Sequence, residues 1–435
     1  MSELLPIEEV TATIVDYGCF TELAARLARD YKTVNLYNPF EDEYLDLKSC
    51  VQGSGIKGVN LIEDFMSEAV IKQTDVFIFP DRGYGPRQRY LRSLGKAVYG
   101  SMGFCLYEEF RTDFLDLLKE TGLPMTGNKV VRGVTALSDH LKTVKDKYVK
   151  INRFRKNMET WHHIDYVHSI PQLEYLALTF GGAKELVIFV VQDKIEAVTE
   201  TGYDGDCVDG IFPSKSFSGP ELKNELYLAT WSEYEKLPKQ LKDVNAALAP
   251  KLKEYGYRNW IATEVRITDE GEGLFIDLTP RLPGQTGEHQ LETCTNLPER
   301  IWKGANGIMV EPEFSHKFAA EATMHYTAGE HNEWKVIDIP EEVRRFVKLA
   351  HYAEIDGHYH FPPARNDEVG VVIGQGNTIE KCLDDLKEHF DALKNEPLAI
   401  EYEGFAELID DIKSAAKEGI KFTDQKIPPK EIAIQ

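Results

Sequence analysis

Thr263-Glu264-Val265-Arg266-Ile267, followed after a turn by Leu274-Phe275-Ile276-Asp277-Leu278-Thr279-Pro280-Arg281, is where the reading of this chain turns. Both runs alternate apolar and charged residues, the period-two pattern of strands with one buried face. Asp269-Glu270-Gly271-Glu272-Gly273 between them is hairpin material, rich in residues that tolerate positive φ. Pairing the two runs predicts that Glu264, Arg266, Asp277 and Arg281 lie near one another. Two readings fit that cluster. It is a surface hairpin with cross-strand ion pairs, or a site where a divalent metal bridges the carboxylates to phosphate and so satisfies both signs. The local pattern leaves both open.

Working outward, Val10–Asp16, a helical stretch through Leu23 and Leu27, and Thr33–Tyr37 read as strand, helix, strand, the start of a parallel sheet with helices on its faces. Val76–Asp81 is a further buried strand, and Lys96–Gly100 a short one. The loop Arg82–Arg89 stands at a strand end, where open α/β sheets bind ligands; its arginines could hold a phosphate or carboxylate, or simply start a solvated helix. Gly53–Gly58 lacks the Gly-Lys-Ser/Thr ending of a phosphate loop and reads as an ordinary turn. Phe104–Glu120 is expected as one amphipathic helix. Lys147–Ile151 leads as a strand into a basic segment, Asn152–Thr160, suited to fold over a polyphosphate. Leu186–Val191 is a continuous apolar strand. A helix is expected from Leu237-Pro238-Lys239 to Tyr255, kinked or divided at Pro250. Beyond about residue 320 the expectation is short strands with one long helix, 377–393, and an exposed tail.

The chain has 435 residues, 42% hydrophobic and 28% charged, enough for roughly two to four domains with sizeable cores. A net charge of −22 argues against nucleic acid or an anionic membrane surface as the main partner. No apolar run approaches a membrane span. The N-terminal Met-Ser-Glu-Leu-Leu-Pro has no signal-peptide pattern, and six scattered cysteines form no Cys-x-x-Cys pair, so a cytoplasmic location is expected. Nucleophilic catalysis has little support, because no Gly-x-Ser-x-Gly elbow occurs. His162-His163 and His358/His360 lack the further ligands that a zinc site needs.

The order of these pieces resembles the ATP-grasp superfamily over nearly the whole chain, most closely its glycinamide ribonucleotide synthetase (phosphoribosylamine–glycine ligase) branch. The resemblance is carried by Pro80-Asp81, by Gly95-Lys96-Ala97-Val98-Tyr99-Gly100, by Glu108-Glu109-Phe110-Arg111 and by Gly122-Leu123-Pro124. Tyr148-Val149-Lys150, the hairpin acids and Asp277-Leu278-Thr279-Pro280-Arg281 continue it. It implies a mixed α/β fold: a Rossmann-like domain over 1–125, an ATP-grasp domain over 126–318 with a covering subdomain near 128–190, and a small C-terminal α/β domain over 319–435. It implies ATP with Mg2+ or Mn2+, the metal on Glu264 and Asp277. Arg111, Lys150, Arg153, Arg155, Gln192 and Glu200 are then the nucleotide contacts, and Arg281 with Arg266 the catalytic cations.

The implied reaction joins a small-molecule carboxylate to an amine through an acyl phosphate, releasing ADP and phosphate, with room for a homodimer. The chain also departs from the pattern. Arg111 replaces a lysine, Lys156-Asn157 a glycine of the covering loop, Asp277 and Thr279 a Glu and an Asn. Pro283–Glu288 replaces the segment beside the acceptor substrate, which leaves the acceptors unspecified. An ATP-binding scaffold or sensor with impaired catalysis is the alternative, and an acyl-phosphate enzyme serving a thiol or another nucleophile is a third reading.

Overall fold

Five parallel strands begin the chain, in the order Val59–Leu61, Thr33–Tyr37, Thr11–Val15, Val76–Ile78, Ala97–Tyr99. Ala12, Ile14, Val34, Leu36 and Val76 have no exposed surface, as expected of strands covered by helices on both faces. The strand order reverses beside Thr11–Val15, and the loops that follow there carry Asp16 and Pro80-Asp81. The computed structural model describes all residues except 1–3, 17–18, 39–51, 154–159, 198, 285–286, 330–332, 364–366 and 434–435.

A four-stranded antiparallel sheet follows, in the order Asn128–Arg132, Ile188–Asp193, Lys147–Ile151, Thr160–His163. The helices Val134–Leu141 and Tyr166–Phe180 close its core around Leu137, Val149, Leu173 and Phe189. The third sheet is the largest. From its edge it runs Gly273–Thr279, Arg258–Ile267, Thr199–Val208, Lys215–Ser218, Leu226–Glu233, Phe318–Tyr326, Glu368–Gly376, Val347–Leu349. The sheet passes through the division expected at 318/319, so much of the C-terminal segment is built onto it. The helices Lys239–Tyr255, Ile379–Asp391 and Phe405–Lys417 contribute Leu241, Leu386 and Leu408 to the same core.

Four local expectations are corrected. Phe104–Glu120 is not one helix: Leu106–Glu109 and Arg111–Thr121 are separated by extended Phe110. The cause is distant in sequence. Phe110 bridges Arg153, and Asn152 accepts from the Arg111 amide at 2.8 Å through its carbonyl and from the Thr112 amide at 2.8 Å through its side chain. The helix Lys239–Tyr255 runs undivided through Pro250. A second long C-terminal helix, Phe405–Lys417, buries Leu408, Ile409 and Ile412 against the large sheet. The tail is not simply exposed. Phe422 and Ala433 are buried, and Lys430 pairs with Asp410 at 2.8 Å.

Candidate functional site

Glu264 and Asp277 are direct partners across the hairpin formed by Arg258–Ile267 and Gly273–Thr279. The register shifts immediately after this pair, since Val265 pairs with Phe275 and Ile276 is left over. A bulge of this kind re-aims side chains beside a site. The Arg111 guanidinium, at the start of the helix Arg111–Thr121, donates to Asp277 Oδ1 at 3.0 Å across 166 residues of sequence. Burial pushes the Asp277 carboxyl upward, but the charges of Arg111 and Lys150 outweigh it and hold the group below the usual carboxylate range. Glu264 goes the other way. Burial first, then the charges of Asp277, Glu221 and Glu200, push it well above that range, with Lys223 as the opposing charge. The two facing carboxyls are thus pushed in opposite directions, Asp277 toward the charged form and Glu264 toward the neutral one.

These acids form part of the wall of a cavity of about 270 Å³ between the four-stranded sheet and the hairpin. Arg111, Lys150, Gln192, Glu200, Glu264, Arg266 and Asp277 all line it, seven of the ten residues singled out from the sequence. Phe114, Leu115, Val190, Ile195 and Phe275 supply apolar surface, and the Phe114 and Phe275 rings meet edge to face at 5.1 Å. Lys150 sits on the central strand Lys147–Ile151, next to Ile188–Asp193, whose end carries Gln192. A flat apolar slot with basic groups and an acid pair along its wall suits a nucleotide.

Of the three remaining residues, two are described, and neither lines the cavity. Arg281 does not line the cavity. Its Nη2 donates to Glu108 Oε1 at 2.8 Å and its Nε at 3.0 Å, with Asp81 at 3.7 Å, so the chain after the hairpin is tied to the tips of the first sheet. Leu282 reinforces that tie by donating to the Pro80 carbonyl at 2.9 Å. Arg153 is exposed and holds the bridge to Phe110. Arg155 lies outside the described residues. Arg266 donates to Glu200 at 2.8 Å across neighbouring strands. The arginine-rich segment starts a helix, Gly85–Ser93, in which Arg87 lies 5.1 Å from the Tyr84 ring centroid and Arg89 donates to the Met102 carbonyl at 2.6 Å. Both are engaged within that part of the fold. His162 and His358 pair with Asp146 and Asp338, and the described residues contain no group of three or more His, Cys, Asp or Glu arranged to hold a metal.

A two-carboxylate donor set fits Mg2+ nonetheless, because this ion usually takes one or two protein carboxylates and completes its octahedron with phosphate oxygens and water. The upward push on Glu264 means that the site favours added positive charge. Reading the sequence missed Lys223, Glu221, Asp204 and Tyr227, which cluster beside the acid pair. Asp204 had a signal, since Glu200, Gly202 and Asp204 share one face of a strand.

No protein-family model matches the sequence, and no curated protein matches it. Solved structures do. Phosphoribosylamine–glycine ligase from Thermotoga maritima superposes with a TM-score of 0.64 at 15% identity, over 90% of this chain and 98% of that one. An N5-carboxyaminoimidazole ribonucleotide synthetase in complex with ADP matches with a TM-score of 0.59 at 14% identity, over 91% of this chain and 100% of that one. The Aspergillus clavatus N5-carboxyaminoimidazole synthase, solved with ADP and 5-aminoimidazole ribonucleotide, matches with a TM-score of 0.59 at 11% identity, over 89% and 99%. Identities this low speak to architecture alone, and on architecture the agreement spans nearly the whole molecule: this chain has the ATP-grasp fold, as its structural neighbours do.

Proposed function

We propose that the chain is an ATP-dependent carboxylate–amine ligase, which activates a carboxylate as an acyl phosphate and passes the acyl group to an amine. The observation that supports it best is the single cavity wall that joins the Glu264/Asp277 pair to Arg111 and Lys150 beside an apolar slot. In this reading the adenine lies in the slot near Gln192, and Glu200 takes the ribose. Lys150 and Arg111 neutralise the inner phosphates, and Arg111 is a cation that never deprotonates. Glu264 and Asp277 would hold Mg2+, which supplies charge neutralisation on the phosphates. Glu264, which burial and its acidic neighbours push toward the neutral form, would be drawn to the charged form by a bound cation. Arg266 reaches phosphate by leaving Glu200, whereas Arg281 would have to abandon a buried carboxylate. Its proposed role is therefore to hold the hairpin against the first sheet.

The test has two stages. Titration with a fluorescent ADP analogue in the presence of Mg2+ checks the nucleotide cavity. Incubation with ATP, pooled carboxylates and pooled amines, read by ADP release and product mass, checks the chemistry. An amide with stoichiometric ADP supports the ligase. Nucleotide binding without carboxylate-dependent ADP would turn the reading to a scaffold or sensor. A thioester mass would turn it to the thiol branch.

A further inference from the structure

A second cavity, of about 490 Å³, adjoins the first. It lies between the strand Thr199–Val208, the short strand Glu221–Leu222 and the helix Phe405–Lys417. The two cavities share Glu200, Lys223, Glu264 and Arg266. Lys150 and Arg111 line only the first, and Asp204, Glu221 and Tyr227 only the second. A ligand in the second cavity therefore meets Glu264 but not Asp277, Arg111 or Lys150, and the one phosphate-assigned cation that lines both cavities, Arg266, is held on Glu200. Thr279 and Pro283, where the chain leaves the hairpin, also form its wall.

Its charge is one-sided. Five carboxylates, among them Asp204, Glu221 and Asp411, face two basic side chains, and one of those two, Arg266, is closed on Glu200. Burial pushes Glu221 and Asp411 upward, and it takes Asp204 to about 7 against the opposing hydrogen bond from Tyr227, with Glu221 and Glu321 adding to the rise. Glu321 is the cross-strand partner of Tyr227. It is 1% exposed, and its Oε1 has no hydrogen-bond partner among the described residues. A phosphate or carboxylate placed here would add to the repulsion, whereas an ammonium group would relieve it.

Register says which carboxylate meets it. Asp204 pairs with Ala262, and Gly202 pairs with Glu264. Asp204 and Glu264 are thus diagonal neighbours on one face, with Cα atoms on the order of 7 Å apart. The Tyr227 hydroxyl donates to Asp204 Oδ2 and fixes the carboxylate plane. Resting on the ligase reading above, we propose that the second cavity is the pocket of a co-substrate bearing an ammonium group and that Asp204, oriented by Tyr227, is its ionic partner. The amine then waits next to Glu264, on the side of the hairpin away from Arg111 and Lys150.

Isothermal titration with 1,4-diaminobutane tests this, with butyrate as the anionic control, at physiological salt and with and without MgADP. The wild type should bind the diamine at least 10-fold more tightly than butyrate. Asp204→Asn should weaken diamine binding at least 10-fold, Glu221→Gln should weaken it less, and Asp243→Asn, an exposed acid elsewhere, should leave it unchanged. At pH 6 the wild type should release protons on binding, seen as a heat that depends on buffer ionisation, and Asp204→Asn should release fewer. Absent diamine binding, equal butyrate binding, or unchanged binding and proton release in Asp204→Asn would overturn the proposal. If Asp204→Asn does not fold, Glu221→Gln and the wild-type proton release decide. Diamine binding with no MgADP binding would sink the ATP reading while leaving the ammonium pocket standing.

Discussion

Arg281 closes on Glu108 with two donors, Nη2 at 2.8 Å and Nε at 3.0 Å, although it lies only four residues beyond Asp277 in the chain. The strand ends at Thr279, and the backbone then turns to the tip of the first sheet. Glu108 is 5% exposed at its side chain; burial pushes its carboxyl up, and Arg281 is the largest charge opposing that push.

Arg281→Met should therefore act on stability. Removing one partner of a buried pair costs roughly 3–5 kcal/mol, because the other charge is left uncompensated. Urea denaturation should show a loss of that order, and Glu108→Leu/Arg281→Met should recover much of it. Affinity for MgADP should change less than about threefold in whatever protein remains folded. A stable Arg281→Met protein with nucleotide affinity lost would instead assign Arg281 to phosphate.

A second prediction concerns the proton on Glu264. Its carboxyl is pushed up by burial and by Asp277, Glu221 and Glu200, so cation binding there should be linked to proton release. Apparent affinity for Mg2+ in the presence of ADP should rise with pH up to the raised pKa and level off above it. Calorimetry in two buffers of different ionisation enthalpy should show up to one proton released per MgADP bound. Glu264→Gln should abolish the release and weaken the metal dependence.

The other acid gives a third. Asp277 is held ionised by Arg111 and Lys150, and is the stronger metal anchor of the two. Asp277→Ala should fold, since the carboxylate's partner Arg111 is 11% exposed at its side chain and borders a cavity that admits water. Carboxylate-dependent ADP formation should fall by orders of magnitude. Turnover at the wild-type rate would remove Asp277 from the site.

What was legible in the sequence follows the range of the interactions. The hairpin and the facing acids could be read because period-two alternation and a glycine-rich turn are local signals. The strand that carries Gln192 is announced by its apolar run, whereas the candidacy of Lys150, Gln192 and Glu200 as nucleotide contacts came from the family resemblance. The partner of Arg281 could not be read from the sequence, because Glu108, which also feels the charge of Asp277, lies 173 residues earlier in the chain. The break at Phe110 depends on Asn152 in the same way. Tyr227 and Asp204 meet only through the register of strands that are not neighbours in sequence. The helix Phe405–Lys417 was an oversight of another sort, since Leu408, Ile409, Ile412 and Ala415 fall at helical spacing in plain sight.

The last prediction uses Asp204 as a pH probe of folding. Its carboxyl titrates near 7 in the folded chain, through burial opposed by the Tyr227 hydrogen bond and aided by Glu221 and Glu321, against about 3.9 when unfolded. Below about pH 4 the group is protonated in both states and contributes no difference. As pH rises from about 4 to 7 the unfolded chain ionises while the folded one retains the proton, so this residue lowers stability progressively through that window and the loss is complete above it. The whole effect is at most about 4 kcal/mol, the value of a three-unit shift. Asp204→Asn cannot ionise. Its stability relative to the wild type should therefore climb between pH 4 and 7 and level off beyond, as read from urea midpoints at each pH. A difference that stays flat with pH would mean that Asp204 is solvated in the folded chain, and would remove the desolvation argument for this carboxylate.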